Sequence, residues 1–170
     1  NFKCWSDDNG IVEWVGVEPN NHFEPFIEEQ KALRNLTFPT SITWVEGESC
    51  TIEPNSFDVV VATHVLCSVS DPDQVVRQIA EALKPGGTYY FLEHVKSRDE
   101  FSAIWWMQQA ISPFINIIGN GCLFRHTADN IARFNRPGRD DFDITMQYLD
   151  GPIKMPFMKP HIIGKVTKRV

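Results

Sequence analysis

Four places along the chain put polar or nucleophilic side chains where a β-strand should give way to a loop, and each suggests a particular chemistry. Glu18 closes the run Val12–Glu18 and is followed by Pro19-Asn20. A carboxylate there can accept two hydrogen bonds from the vicinal hydroxyls of a ribose, though a surface acid at a strand end is the plainer alternative. Glu48, with Ser49 beside it, follows the run Ile42–Glu46 after a glycine, a position from which an acid reaches an exocyclic amine such as that of adenine. Thr63 and His64 follow the Val-rich run Phe57–Ala62, and Cys67 lies three residues further on. His64 is open between lining a site and standing on a helix surface, whereas a buried thiol such as Cys67 is more often a small hydrophobe. Glu93 and His94 end the strand after a Pro-Gly-Gly turn. A neutral imidazole there can take a proton from an incoming nucleophile, its ordinary pKa being about 6.5, and a His held by backbone is an equal alternative. Trp105 and Trp106 are adjacent, so a helix cannot turn both to a core, and one is left to wall a pocket. His22, His126 and His161 have no such placement and read as structural.

The elements that must position these groups alternate short β-branched runs with helical patterns, which is the signature of βαβ units on a parallel sheet. Val12–Glu18 leads into a helix from His22 to about Arg34, capped by Asn21, with Pro25 in its first turn and Phe23, Phe26, Ile27 and Leu33 as its apolar stripe. Strands at Ile42–Glu46 and Phe57–Ala62 follow, the second apolar enough to be covered on both faces. Asp71, Pro72 and Gln74 mark a helix start, Val75, Val76, Ile79 and Leu83 share one face, and Pro85-Gly86-Gly87 turns the chain into the strand Thr88–Glu93. Glu100–Ile118 reads as a helix kinked near Pro113, with Phe101, Ile104, Trp105, Gln108 and Ile111 in step. Thr127 caps a short helix to Phe134, broken by Arg136-Pro137-Gly138. Two final strands, Asp143–Leu149 and Ile162–Lys168, are joined by a link too short for a crossover helix, so they are antiparallel neighbours.

Bulk properties narrow the function. A formal net charge of −6 excludes a chain that binds nucleic acid through a basic field. The 170 residues suit one domain, residues 1–170, with a real core. Cys4, Cys50, Cys67 and Cys122 include no CxxC pair and the five histidines no paired ligand motif, so the thiols read as reduced and no metal is expected. No apolar run reaches the eighteen or so residues needed to cross a bilayer.

The stretch Phe57-Asp58-Val59-Val60-Val61-Ala62-Thr63-His64-Val65-Leu66-Cys67-Ser68-Val69 resembles the fourth-strand motif of the methyltransferase-like protein 7 family, described as thiol S-methyltransferases. The resemblance continues through Leu83-Lys84-Pro85-Gly86-Gly87, Tyr90 to Val95, Trp105-Trp106-Met107-Gln108-Gln109 and Pro160 to Lys165, and is poor from Arg133 to Pro156. It implies a class I methyltransferase of the type 11 domain: an α/β, doubly wound, mostly parallel Rossmann-like sheet of order 3-2-1-4-5-7-6, binding S-adenosyl-L-methionine. It places Glu18, with Pro19 and Asn20, at the ribose, Glu48 and Ser49 beside the adenine, and Thr63 and His64 at the methionine end. His64 stands where relatives carry an apolar residue, so its role does not transfer. The family's first strand and glycine-rich loop are not in the sequence, and Asn1-Phe2 resembles the pair that follows those glycines. A chain lacking that loop is expected to bind the cofactor weakly and to fold poorly.

What the resemblance implies for chemistry is methyl transfer to a small-molecule acceptor, most naturally an alkyl or aryl thiol; if a base is used, the residues themselves point to His94 first and His64 second. The alternatives are an O, N or C acceptor, a Rossmann dehydrogenase, which would not carry the C-terminal antiparallel hairpin, or a truncated relative without activity. The resemblance further implies a monomeric, cytosol-facing domain with no nucleic-acid partner, tied to endoplasmic-reticulum or lipid-droplet membranes through an N-terminal segment outside these residues.

Overall fold

The computed structural model describes residue 5 and residues 10–118, 121–135, 138 and 140–170. Asn1-Phe2 and Arg136-Pro137 lie outside the described residues. The chain divides into two compact units, Asn1–Cys50 and Thr51–Val170.

In the first unit, strand β1 (Trp14–Val17) pairs in parallel with β2 (Thr40–Thr43), Trp14 opposite Thr40 and Val17 opposite Thr43. β2 is shifted toward the N-terminus of the expected Ile42–Glu46 because its pairing stops where β1 stops; Trp44 to Glu46 have no strand partner. Between the strands, a 3-10 turn at Asn21–Phe23 runs into α1 (Glu24–Leu33) with Pro25 in its first turn. The cap is Asn20 rather than Asn21, its side chain accepting from the His22 N–H at 3.0 Å. Of the apolar stripe expected of this helix only Ile27 is half-buried; Phe23, Phe26 and Leu33 stay exposed, Phe26 at 61% and Leu33 at 66%.

The second unit carries a four-stranded sheet in the order β3-β4-β6-β5, from β3 (Phe57–Thr63), β4 (Leu83–His94), β5 (Phe142–Asp150) and β6 (Pro160–Lys168). β3 and β4 are parallel, and β6 runs antiparallel to both β4 and β5, so three strands point one way and one against them. The two strand orders are each a contiguous run of the seven-strand order expected, 3-2 and 4-5-7-6.

Helix α2 (Pro72–Ala82) starts as read: Asp71 Oδ1 accepts from the Gln74 N–H at 2.9 Å, and Pro72 fills the first turn. Its Val75, Val76 and Ile79 are buried with Tyr89, Phe91, Ile131, Phe134, Ile162 and Val166 in one core. The helix ends at Ala82 rather than at the Pro-Gly-Gly turn, because Leu83 already pairs with Phe57. The next match is Val59 with Thr88, so residues 84–87 bulge from the ladder. Gly86 takes φ +81°, and a Cβ on Gly87 would sit 2.8 Å from the Lys84 carbonyl oxygen, which is why glycine occupies both positions. The Val-rich strand is covered on one face only; Val59 and Val61 on the other are exposed, as is Tyr90 opposite Val61.

Helix α3 (Ala103–Ile118) keeps Pro113 inside it, and α4 (Thr127–Ala132) begins after His126, with Thr127 buried in the first turn instead of capping it. Gln108 of α3, read as part of an apolar stripe, is completely buried and wholly hydrogen-bonded. Its Oε1 accepts from the Ser97 N–H at 2.8 Å, and its Nε2 donates to the carbonyls of Val95 (3.1 Å) and Phe157 (2.9 Å). This one side chain fixes the path of the chain as it leaves β4. No helix among the described residues is long and apolar enough to cross a membrane.

Candidate active site

Because β3 and β4 are parallel, Thr63-His64 and Glu93-His94 end on the same rim of the sheet. His64 takes φ +56°, a left-handed conformation uncommon outside glycine, and this reverses the chain at the strand end while its N–H still donates to Leu92 O at 2.9 Å. The reversal points the next two N–H groups inward, and both meet Glu93 Oε1, Val65 at 3.0 Å and Leu66 at 3.2 Å. Glu93 is fully buried. Burial, seconded by Cys67, pushes its carboxyl up to about 7 against the two N–H groups and His94, which favour the anion.

Three imidazoles gather on this rim. His161 enters from the start of β6, directly opposite His94 in the ladder. Its Nδ1 lies 2.8 Å from the Lys159 carbonyl oxygen, which can only accept, so Nδ1 carries the proton and Nε2 the lone pair of the neutral ring. His64 Nε2, 3.2 Å from His161 Nε2, is then the donor, and the lone pair of His64 rests on Nδ1. His64 remains accessible to solvent. Desolvation of the part of its ring against the others, and repulsion from His94 and His161, hold its pKa below the usual imidazole value. It is therefore neutral at physiological pH.

His94 is enclosed, at 3% exposure, with its ring edge-on to Phe124 and its Nε2 2.8 Å from Cys122 Sγ. Cys122 sits in the loop before α4, which is tied to the turn after β3 by Leu123 N–H to Cys67 O and to the exit of β4 by Lys96 N–H to Arg125 O, both 2.9 Å. The sulfurs of Cys67 and Cys122 lie within 4.8 Å of each other, and Cys67 Sγ donates to the His64 carbonyl at 3.4 Å. The neighbouring Cys122 thiol and burial push Cys67 up to about 12, while the neighbouring Cys67 thiol holds Cys122 below the ordinary thiol range. His161 has no strand-end placement in the sequence and the cysteines and histidines form no paired motif there; the fold nonetheless brings His64 against His161 and gathers Cys67, His94 and Cys122. Strand parity was the available signal for part of this. Tyr89, Phe91 and Glu93 alternate onto the buried face, which marks Glu93 as an enclosed acid.

In the first unit, Glu18 and Glu48 follow the carboxyl ends of the parallel pair β1 and β2. Glu18 Oε1 accepts from the Asn20 N–H at 3.0 Å, which sets the carboxylate at the strand end, with Pro19 exposed between them. Glu48 and Ser49 lie in a 3-10 turn, Gly47–Ser49. On α3, Trp105 is half-buried and held under Lys96 at 5.2 Å, whereas Trp106 is exposed. The apolar hollow beside that helix, about 280 Å³, is lined by Met107, Ala110, Ile111, Phe114 and Phe157, and by neither tryptophan. A larger hollow, about 580 Å³, lies where β6 ends and β5 begins, at the opposite rim from these imidazoles.

The architecture is that of a Rossmann-like α/β protein with polar groups at the carboxyl ends of its parallel strands, where ligands bind in such sheets. A family model described as "Methyltransferase domain" matches residues 2–91. The chain belongs to that family. A thiol S-methyltransferase TMT1B of Rattus norvegicus is 35% identical over 156 residues, covering 89% of this chain and 61% of the relative. A thiol S-methyltransferase TMT1A of Homo sapiens is 30% identical with the same coverage. The chain thus spans about three-fifths of the length of the curated relatives it matches. Among solved structures, a SAM-dependent methyltransferase from Methanosarcina mazei superposes with a TM-score of 0.67 at 14% identity, over 93% of this chain and 82% of that one. The cyclase SpnF superposes at 0.65 and 15% identity, over 94% and 75%. Those likenesses establish the fold.

Proposed function

We propose that the protein transfers a methyl group from S-adenosyl-L-methionine to a small-molecule thiol. The observation that carries this is the exposed imidazole of His64, set at the end of β3 by its left-handed backbone, on a chain of the methyltransferase domain family whose curated relatives are thiol S-methyltransferases. The residues present fit such a cofactor. Glu18, set by the Asn20 N–H and preceded on the strand by Val17, offers a carboxylate to a ribose diol, with Pro19 and Asn20 shaping the turn. Glu48 and Ser49 are assigned to the adenine, and Thr63 and His64 to the methionine end. When bound, the cofactor supplies an electrophilic methyl on a sulfonium, so the protein has mainly to align the acceptor and exclude water. A thiol with a pKa of about 8.5 is already partly ionised near neutrality. His64 Nδ1 is the lone pair that holds the acceptor's S–H hydrogen. His94, the imidazole first expected in that role, is enclosed and bonded to Cys122, so it acts through the position of the rim.

The resemblance also supports a cytosol-facing domain at endoplasmic-reticulum or lipid-droplet membranes. A second reading, transfer to a ring carbon, is favoured by a 30% identity to a ubiquinone/menaquinone C-methyltransferase of Pasteurella multocida, over 60% of this chain and 40% of that one. One assay separates the two: the purified protein with S-adenosyl-L-methionine and, in parallel, an aryl thiol, the matching phenol and a quinol. S-methyl product only from the thiol, with His64→Ala lowering kcat more than it raises KM, is the expected result. Product from the quinol or phenol at an equal rate would remove the thiol assignment.

A further inference from the structure

The turn after β3, the end of β4 and the loop before α4 each deliver one soft or borderline ligand atom to a single buried point. Cys67 Sγ, His94 Nε2 and Cys122 Sγ all lie within 4.8 Å of one another. The three residues are 1%, 3% and 7% exposed. We propose that Cys67, His94 and Cys122 form a binding site for a thiophilic d10 cation, zinc(II) or copper(I).

The donor set selects that chemistry. Two sulfurs and one imidazole nitrogen suit zinc and copper(I), and offer nothing to the hard, oxygen-seeking magnesium or calcium. Glu93 Oε1 is turned to the Val65 and Leu66 N–H groups, and the cluster of mutually close donor atoms holds Cys67, His94 and Cys122 without Glu93. Tetrahedral zinc with S and N ligands needs neighbouring donors roughly 3.6–3.8 Å apart, from Zn–S of about 2.3 Å and Zn–N of about 2.0–2.1 Å. All three atoms already fall within 4.8 Å, and the closest pair, Cys122 Sγ and His94 Nε2 at 2.8 Å, has to open by less than about 1 Å. The backbone hydrogen bonds Leu123 N–H to Cys67 O and Lys96 N–H to Arg125 O hold the three segments together without the ion, so the ligands are preorganised. Phe124 packs edge-on against His94 and all three ligand residues are buried, while Ser68 Oγ and the His64 carbonyl, each 3.4 Å from Cys67 Sγ, are the polar atoms bonded to that thiol. Three protein ligands complete a trigonal copper(I) site, and leave zinc one position for an exogenous donor.

This inference goes beyond the methyl-transfer reading and does not depend on it, and its test reads metal rather than turnover. The protein, stripped with chelator under reducing conditions, is loaded separately with zinc(II), cobalt(II) or copper(I), desalted, and assayed for retained metal. One equivalent is expected, and the cobalt form should show a near-ultraviolet thiolate-to-metal charge-transfer band. Retention of zinc or of copper(I) identifies the resident ion. Cys67→Ser, Cys122→Ser and His94→Gln should each weaken binding on the order of 100-fold, while Cys50→Ser, outside the cluster, leaves it unchanged. Should a variant fail to fold, alkylation mapping on the native chain serves: metal should slow modification of Cys67 and Cys122 relative to Cys50. The absence of retained metal, or a cobalt spectrum without a sulfur band, overturns the site, as does equal protection of all three thiols.

Discussion

Replacing Gln108 with Leu tests whether the fold holds its site-bearing strand end by one buried amide. The side chain satisfies three backbone groups: Ser97 N–H, Val95 O and Phe157 O. Leu removes all three partners at nearly constant volume. An orphaned buried N–H costs about 1–3 kcal/mol, and each carbonyl, with a second lone pair, about 1 kcal/mol. The gain from exchanging a buried amide for an apolar side chain offsets roughly 1 kcal/mol of that, leaving a net loss of about 2–4 kcal/mol. Gln108→Glu should be worse at neutral pH, because its carboxylate keeps the Ser97 N–H but confronts two carbonyl oxygens. It should recover as pH falls and the neutral acid donates to one of them. Urea denaturation gives the global change, and amide exchange at Ser97 gives the local one. If Ser97 exchanges through the opening that Gln108 restrains, 2–4 kcal/mol corresponds to an acceleration of roughly 30- to 1,000-fold. A Gln108→Leu protein within about 1 kcal/mol of the parent, with Ser97 protection intact, would refute the reasoning.

Glu93→Leu, which strips the acceptor from Val65 and Leu66, should cost about 2–4 kcal/mol, whereas Glu93→Gln keeps an oxygen for both and should cost under about 1 kcal/mol; thermal melts compare the two, and equal losses would mean that the carboxyl oxygen is not what holds the turn. The exposed Asp143 is held below its usual carboxylate pKa first by its hydrogen bond to Arg169, so the stability it adds is present above the unfolded-state value near pH 3.9 and is lost as pH falls through the lower folded value. Asp143→Asn should therefore melt below the parent at pH 6 and match it below that window, and an unchanged difference at both ends would show that the ion pair is not the cause.

What could be read in the sequence was what is settled locally. Asp71 followed by Pro72 starts a helix wherever it stands, since the cap satisfies N–H groups within the same turn, and α2 begins there. The last two strands pair antiparallel because a nine-residue link, 151–159, cannot carry a crossover, and Phe142–Asp150 lies on Pro160–Lys168 as expected. Where a boundary depends on a partner, local pattern misleads. Pro85-Gly86-Gly87 looks like the end of a helix, yet Leu83 has already left α2 to pair with Phe57, and the glycines serve a bulge inside the ladder. Ile42–Glu46 looks like a strand, but its pairing is cut at Thr43 by the end of β1.

The same division runs through the site. Strand-end placement singles out Glu18, Glu48, Thr63, His64 and His94 as candidates, and each does follow or end a strand, because the carboxyl end of a parallel strand is legible from the strand itself. Enclosure is not legible there, since it depends on what packs against the rim: His94 is sealed by Phe124 and Cys122, while the left-handed turn at His64 leaves that ring at the surface. Cys67 and Cys122 are separated by 55 positions, and His161 by a further 39, spacings that match no ligand motif. Cys122 reaches Cys67 on the loop before α4, tied by Leu123 N–H to Cys67 O, whereas His161 reaches His94 because β6 runs antiparallel beside β4 and returns its first residues to the rim where β4 ends. The last strand of the hairpin that marks the fold class in the sequence is therefore also what brings His161 opposite His94, through its pairing with β4 rather than with β5.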